Sequence, residues 1–406
     1  MELGSSRRGN SFLIRSALGT EQNPFYSPLM KFLKRPHLLA IAFLCFTASS
    51  CNKKQEAGIP VGQFASLTGG QATFGQSTDK GVQLALEEIN ASGGVLGQPL
   101  RMITKDNQSK PGETSTLVRE LITRDKVVAL IGEVASGRSL EAAPIAQRSG
   151  IPMISPASTN EKVTETGDHI FRVCFIDPFQ GTVCAKFASK LGAKKAAIIT
   201  DVSKDYSLGL AKSFKQEFTK VGGIITGEQS YSGGDKDFSA QLTAIKSANP
   251  EVVFLPAYYT EAPLIIRQAR QLGITVPFIG GDGWDSSELV GVGGAAVEGC
   301  YFSNHFSNQS TDPQVVAFVE AYRKKYNADP DAMVALGYDA LRLLADAMKR
   351  AGTTDPAKVN AAITATKEFP GVTGKITLDE HRNPTKPAVI LQVKNGKFAY
   401  VETIAP

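Results

Sequence analysis

One pattern recurs along most of this sequence and limits what the chain can fold into. A short run of β-branched and apolar residues is followed by a glycine-rich or polar turn, and then by apolar residues at helical spacing. The first copy has its β run at 59–67 and its turn at 68–70, and its helical stripe consists of Val82, Ala85, Leu86 and Ile89. This order predicts βαβ units, whose parallel strands are covered by helices on both faces.

The apolar runs fall into two series. The first comprises 59–67, 100–104, 127–131 and 151–154, and the second comprises 196–199, 224–226, 252–255 and 276–279. Helical stripes separate these runs, and three further helices are predicted at 313–326, 333–349 and 357–364. Near the end, two runs flank Asn395 and Gly396, which predicts a hairpin. We therefore expect an α/β fold of two lobes, each with a parallel-rich sheet flanked by helices.

Size and charge agree with this organisation. A chain of 406 residues suits two lobes, and 42% hydrophobic with 20% charged residues is typical of globular proteins. The net charge of +5 is concentrated at the amino terminus, where the first 50 residues hold six basic and two acidic side chains. The remainder is close to neutral, which argues against a nucleic-acid partner because such partners require a basic surface.

A signal peptide is predicted at 30–50. Three basic residues precede the apolar run 38–46, and the small residues 48–50 lead to Cys51. The run is too short to span a bilayer, which takes about 20 apolar residues, so it indicates export. We interpret Met30 as the natural start and expect the upstream residues to be disordered and foreign to the natural product.

Cys51 is the predicted lipid attachment site. A cysteine directly after small residues resembles the bacterial lipoprotein box, in which the thiol receives lipid and tethers the protein without spanning the membrane. Ala48 stands where that box normally has leucine, so cleavage without lipidation remains an alternative. We expect 51–57 to be a tether and the protein to lie in the periplasm or at the cell envelope.

Three cysteines remain in the body of the chain: Cys174, Cys184 and Cys300. An odd number is not a disulfide framework. The exported compartment permits a bridge between Cys174 and Cys184, and buried free thiols are the favoured interpretation.

Polar and aromatic groups follow five of the predicted strands. They lie at 132–136, 155–159, 205–206, 256–259 and 280–284. Ligands of open parallel sheets bind beyond the carboxyl ends of the strands, so these segments are candidates for one site. The first two offer hydroxyls and helix N-termini, which suit a carboxylate. The other three offer phenols, an indole and a carboxylate, which suit an ammonium group and an apolar side chain.

Each of these residues also has a purely structural interpretation. Ser136 and Thr159 are good helix caps, and an aspartate before glycine, such as Asp282, is often a turn residue. Tyr206 and Tyr258 could equally be residues that pack in the core or at the surface. Their shared position at five strand ends, divided between two sheets, favours a binding site.

Several motifs carry a resemblance to a known family. They are Leu67-Thr68-Gly69, the segment 87–94, Ser155-Pro156-Ala157-Ser158-Thr159, the segment 235–239 and Arg267-Gln268-Ala269-Arg270. With the order of elements from Gly58 onward, they make the chain similar to the branched-chain amino-acid-binding proteins of bacterial ABC transporters. The resemblance implies a type I periplasmic-binding-protein fold with a three-strand hinge near residues 176, 304 and 373. One lobe would then be 58–176 plus 305–372, and the other 177–304 plus 373–406.

The resemblance also implies a set of ligand-binding residues. Ser136 and the turn containing Ala157, Ser158 and Thr159 would hold the ligand carboxylate, and Asp282 would take the ammonium group. From the second lobe, Tyr206 and Tyr258 would close on the ligand. Phe74 would lie over its side chain, and Trp284 would fill the space left because Asp282 is shorter than the family's usual glutamate.

These inferences predict a monomeric, extracytoplasmic solute-binding protein. It would deliver an amino acid, branched-chain or similar aliphatic, to the permease subunits of an ABC importer by closing its lobes. A sensor domain of the same fold that binds an amino acid or amide and signals to a membrane partner is the alternative. The sequence does not rank the amino acids.

An enzyme is the rival class, and the motifs argue against it. The four histidines lack metal-ligand spacing, and neither a nucleophile elbow nor a P-loop occurs. The run 291–296 fits a dinucleotide fingerprint loosely, but it follows a predicted helix, which favours a helix-ending turn. We expect no catalysis, metal or cofactor.

Overall fold

The computed structural model of the protein describes residues 58–406. The predictions for 1–29, for the signal peptide at 30–50 and for the tether beginning at Cys51 therefore lie outside the described residues. Within 58–406, no helix has both the length and the apolar character needed to cross a bilayer.

The first sheet has five parallel strands in the order β2-β1-β3-β4-β5. Its strands are β1 (Ile59–Ala65), β2 (Leu100–Asp106), β3 (Ala129–Ile131), β4 (Met153–Ser155) and β5 (Ile170–Arg172). Its connecting helices are α1 (Ala72–Ala91), α2 (Glu113–Thr123), α3 (Ser136–Ser149) and α4 (Lys162–Glu165). Strands β1, β3, β4 and β5 are buried on both faces, as their apolar runs predict, whereas β2 at the edge of the sheet is only half-buried.

The second sheet has seven strands in the order β14-β13-β10-β9-β8-β6-β7. They are β6 (Lys195–Asp201), β7 (Ile224–Tyr231), β8 (Val252–Phe254), β9 (Phe278–Gly280), β10 (Tyr301–Asn304), β13 (Ala388–Lys394) and β14 (Lys397–Ile404). The helices α5 (Asp177–Lys190), α6 (Asp205–Lys220), α7 (Ser239–Ser247), α8 (Ala262–Gln271) and α9 (Ser287–Gly293) belong to this half. The predicted hairpin is confirmed: β13 and β14 pair antiparallel around Asn395 and Gly396, both with positive φ.

Three more helices and a small ribbon complete the chain. They are α10 (Pro313–Tyr326), α11 (Ala332–Ala351), α12 (Pro356–Thr364), β11 (Phe369–Gly371) and β12 (Gly374–Ile376). Helix α11 packs along α1 of the first sheet, so this region belongs with the first lobe. The chain thus leaves one half for the other after β5, after β10 and after β12. The exact lobe boundaries remain our proposal.

Sequence reasoning missed four short strands, β5, β10, β11 and β12, each of three or four residues. The interpretation of 291–296 as a helix-ending turn is confirmed, because α9 ends at Gly293 and a 3₁₀ turn, Gly294–Val297, follows. Cys174, Cys184 and Cys300 are free and buried, which agrees with the favoured interpretation.

Candidate functional site

The first lobe contributes hydroxyl groups at two strand ends. Ser136 is the first residue of α3, and its Oγ accepts a hydrogen bond of 3.3 Å from the Asn160 amide. Thr159 follows β4, and its buried Oγ1 forms no hydrogen bond with any described residue. The free hydroxyl of Thr159 and the amino terminus of α3 are both suited to an anionic group.

The turn at 155–159 is held in place by hydrogen bonds within the first lobe. The Ser158 hydroxyl lies 2.9 Å from the Glu133 carbonyl oxygen and 2.7 Å from Ser139 Oγ, so it points into the lobe. Ala157 is buried beside it in the core. Among the predicted residues, Ser158 therefore shapes the turn, while Ser136 and Thr159 present hydroxyls.

The second lobe contributes two stacked phenols. The rings of Tyr206 and Tyr258 lie 4.9 Å apart and nearly parallel, at 8°. The Tyr206 hydroxyl accepts a hydrogen bond of 3.1 Å from the Gly283 amide. Burial, and then the nearby Asp282 carboxylate, raise the pKa of each tyrosine well above its usual value. Both phenols are therefore neutral hydrogen-bonding groups at physiological pH.

Asp282 lies beside these rings and is almost fully buried. Its Oδ1 accepts a hydrogen bond of 2.9 Å from Gln180 Nε2, and its Oδ2 lies 3.0 Å from His305 Nε2. A carboxylate has about four lone-pair positions, so each oxygen retains capacity for another donor. Sequence reasoning identified Asp282 but missed both of its partners.

A second carboxylate, Asp177, was also missed. It is the first residue of α5, it is 1% exposed, and neither of its oxygens has a hydrogen-bond partner among the described residues. Burial, with further repulsion from Asp282, raises the pKa of Asp177 to about 8, although the neighbouring Thr159 hydroxyl opposes the shift. The residue follows β5 across a short irregular segment, so no predicted strand end pointed to it. An unpaired buried carboxyl of this kind is suited to a cation.

This raised pKa predicts a pH-dependent stability. Folding raises the pKa of Asp177 from 3.8 to about 8, so its contribution is fully present below 3.8 and is lost as pH rises through 8. Between pH 5.5 and 8, urea unfolding should show the free energy of unfolding falling less steeply in Asp177→Asn than in the unmodified protein. Asp237→Asn, at an exposed position, should keep the original slope. Equal slopes in all three proteins would contradict the assignment.

Contacts across the two lobes enclose these groups. The ring of Phe74, in α1, meets Tyr258 at 5.6 Å and Tyr259 at 4.7 Å between centroids. The Tyr259 hydroxyl donates to the Gly70 carbonyl oxygen at 3.1 Å and accepts from the Thr73 amide at 3.2 Å. Asn160 of the first lobe also donates to the Asp205 carbonyl oxygen at 2.8 Å. The lobes are therefore closed upon one another.

Trp284 was also predicted as a site residue, but it does not lie among the polar and aromatic side chains between the lobes. Its indole lies in the core of the second lobe, near Phe302, and its Nε1 donates to the Leu255 carbonyl oxygen at 3.1 Å. The next residue after Asp282 in the 3₁₀ turn is Gly283, and the turn directs the indole away from the cleft. A separate cavity of about 860 Å³, lined in part by Lys80 and Phe398, includes none of the predicted residues.

The chain crosses three times between two α/β halves, and polar groups are buried between these halves. This arrangement defines a two-lobed solute-binding protein. The chain belongs to the periplasmic binding protein family, whose model matches residues 58–397. It is 33% identical over 353 residues to the Leu/Ile/Val-binding protein homolog 1 of Brucella abortus, covering 85% of this chain and 94% of that protein.

Two solved structures support the same assignment. A leucine-binding protein, LivK, from Thermotoga maritima is 42% identical, with a TM-score of 0.83 over 86% of this chain and 99% of that one. The branched-chain amino acid binding protein LivJ of Streptococcus pneumoniae, in complex with isoleucine, is 36% identical, with a TM-score of 0.81 over 86% of this chain and all of that one. The predicted type I periplasmic-binding-protein fold is confirmed.

Proposed function

We propose that this protein captures an aliphatic α-amino acid outside the cytoplasm and delivers it to an ABC importer by closing its lobes. The observation that carries the proposal is the distribution of charge and polarity in the buried group. Groups suited to an anion, the hydroxyls and a helix N-terminus, are buried together with groups suited to a cation, the carboxyl groups of Asp177 and Asp282. This pattern is complementary to a zwitterion.

The aromatic rings support an aliphatic side chain on that zwitterion. Phe74, Tyr206 and Tyr258 are buried next to one another and present apolar surface to the same group. Leucine-binding LivK and isoleucine-bound LivJ, at 42% and 36% identity, support a branched-chain ligand. Ser136 and Thr159 would bind its carboxylate, and Asp282 and Asp177 its ammonium group.

Anchoring is the second part of the proposal. The family places the protein in the periplasm. We propose that the signal at 30–50 directs export and that lipid on Cys51 holds the mature, monomeric protein at the membrane beside the permease subunits. Mass spectrometry of the membrane fraction tests this, since a Cys51→Ser variant should lose the acyl mass and become released.

Binding of amino acids by the purified protein tests the proposed function. Endogenous ligand is removed by unfolding and refolding, and thermal shift is measured with each amino acid and with benzoate, followed by calorimetry. We expect leucine, isoleucine or valine to give the largest shift and benzoate, which lacks an ammonium group, to give none. Stabilisation by benzoate alone, or by no amino acid, would reject the proposal.

Closure should depend on the Tyr259 hydroxyl, which bonds two backbone groups of the first lobe. Tyr259→Phe removes both bonds and keeps the ring contact with Phe74. We expect the amino acid to dissociate about 5- to 150-fold faster, because each of the two bonds contributes about 0.5–1.5 kcal/mol and 1.4 kcal/mol is a tenfold change. Tyr400→Phe, at a half-exposed position, is the matched control. Stopped-flow fluorescence measures the rate, and an unchanged rate would show that this contact does not hold the lobes together.

A further inference from the structure

His305 occupies the place where the chain leaves the second sheet. It directly follows β10, and its ring is completely enclosed. The imidazole stacks on Phe175 with centroids 3.7 Å apart and an interplanar angle of 27°. Phe175 lies between β5 and α5, where the chain first passes between the lobes. The ring of His305 therefore joins two of the three chain passages.

The hydrogen bond to Asp282 shows which nitrogen of the His305 imidazole carries the proton. An ionised carboxylate only accepts hydrogen bonds, so the proton of this 3.0 Å contact is assigned to His305 Nε2. Burial lowers the pKa of His305 despite the opposing effect of Asp282. Nδ1 has no hydrogen-bond partner among the described residues. The group is thus a neutral imidazole with its one N–H directed at Asp282.

Gln180 holds the other oxygen of the same carboxylate. Its Nε2 donates to Asp282 Oδ1 at 2.9 Å and to Ser303 Oγ at 3.0 Å. Both donors that hold Asp282 are neutral, so the carboxylate is oriented but its charge is not cancelled. An arginine or lysine in either position would cancel it. The negative charge remains for a cation that enters the cleft.

We propose that His305 is a positioning residue that orients Asp282 and thereby makes the cleft select ligands that carry an α-ammonium group. This inference rests on the proposed function and adds the source of its selectivity. With Asp282 held at both oxygens, the remaining lone pairs have a fixed direction before the ligand arrives. Binding then loses less free energy to ordering the carboxylate. A carboxylic acid that lacks the ammonium group gains nothing from this arrangement.

The charged surroundings of His305 are few. Asp282 faces its Nε2, and Lys386, on the third chain passage, acts on it electrostatically and lowers its pKa further. Phe175 covers one face of the ring. Because burial and Lys386 hold the pKa of His305 below its usual value, the imidazole acts on Asp282 as a neutral donor and does not need to gain a proton.

The test compares leucine with 4-methylpentanoate, the same acid without its amino group. His305→Leu removes the donor, and we expect leucine affinity to fall about 10- to 100-fold while 4-methylpentanoate affinity changes less than about twofold. His305→Gln places an amide donor near the position of Nε2 and should recover most of the leucine affinity. His381→Leu, at an exposed histidine, should change neither affinity.

Calorimetry with both ligands, together with thermal unfolding of each variant, separates the outcomes. Equal losses for the two ligands, or unchanged leucine affinity in a folded His305→Leu protein, would overturn the inference and leave the proposed function intact. Failure of the unmodified protein to bind any amino acid would overturn both. If His305→Leu does not fold, leucine affinity is measured between pH 6 and 8 in the unmodified protein and in His305→Gln. A steep pH dependence in the unmodified protein that is absent from His305→Gln would identify a titrating imidazole. That result would refute a neutral positioning role.

Discussion

Replacing Asp282 with alanine is expected to lower affinity for the amino acid by about 30-fold or more. In the closed protein this carboxylate is buried with Tyr206 and Tyr258, so a ligand ammonium group there is withdrawn from water. Removing one partner of a buried charge pair costs about 2–5 kcal/mol, because the other charge is left uncompensated. At 1.4 kcal/mol per tenfold change, this is the largest effect that we expect from a single side chain in the cleft.

Calorimetry checks this expectation, and Asp237→Ala, an exposed aspartate, is the matched control. Asp282→Asn refines it, because the amide keeps the size of the side chain and removes its charge. Both Asp282 variants should bind weakly, whereas Asp237→Ala should bind like the unmodified protein. Affinity within about threefold in Asp282→Ala would mean that Asp177 takes the ammonium group alone.

The elements that sequence predicted well are those whose signal is local. Runs rich in apolar residues such as 59–65 and 196–199 are unfavourable in water, so they indicate buried strands. The parallel arrangement then brings their carboxyl ends to one edge of each sheet. For this reason the sequence could predict that Ser136, Thr159 and Asp282 lie at these edges, and their role in binding stays a prediction.

The residues that were missed depend on packing between distant segments. Gln180 and Asp177 lie on α5 and His305 follows a four-residue strand, so none stands after a long apolar run. Their roles follow from the contacts that bring the chain passages together. The prediction for Trp284 differs for the opposite reason: its position two residues after Asp282 suggested the cleft, whereas its ring lies in the core of the second lobe.

The chain passages also share a buried ionic arrangement. Lys386 precedes β13 on the third passage, and its Nζ donates to the Val173 carbonyl oxygen at 2.9 Å and to Thr373 Oγ1 at 2.6 Å. Thr373 Oγ1 in turn donates to Asp339 Oδ2 at 2.6 Å. Burial lowers the pKa of Lys386 to about 8 and raises the pKa of Asp339, while their mutual attraction opposes both shifts. The first and third passages are therefore joined by the Lys386 ammonium group, and Asp339 compensates its charge through Thr373.

Lys386→Met is expected to lower the free energy of unfolding by about 3 kcal/mol at neutral pH. Methionine matches the length of lysine but leaves Asp339 without its cation and Val173 without its donor, and breaking a buried charge pair costs about 3–5 kcal/mol. Lys375→Met, whose lysine is exposed and paired with Glu368 at 2.8 Å, should cost less than about 1 kcal/mol. Urea unfolding of both variants measures the difference.

A double variant tests whether Asp339 is the group left without its partner. If it is, adding Asp339→Asn to Lys386→Met should lower the free energy of unfolding by less than the sum of the two single changes, because the residues act as a pair. A loss below about 1 kcal/mol in Lys386→Met would show that the passages are held by packing alone. Strict additivity in the double variant would show that Asp339 is not the group left without its partner.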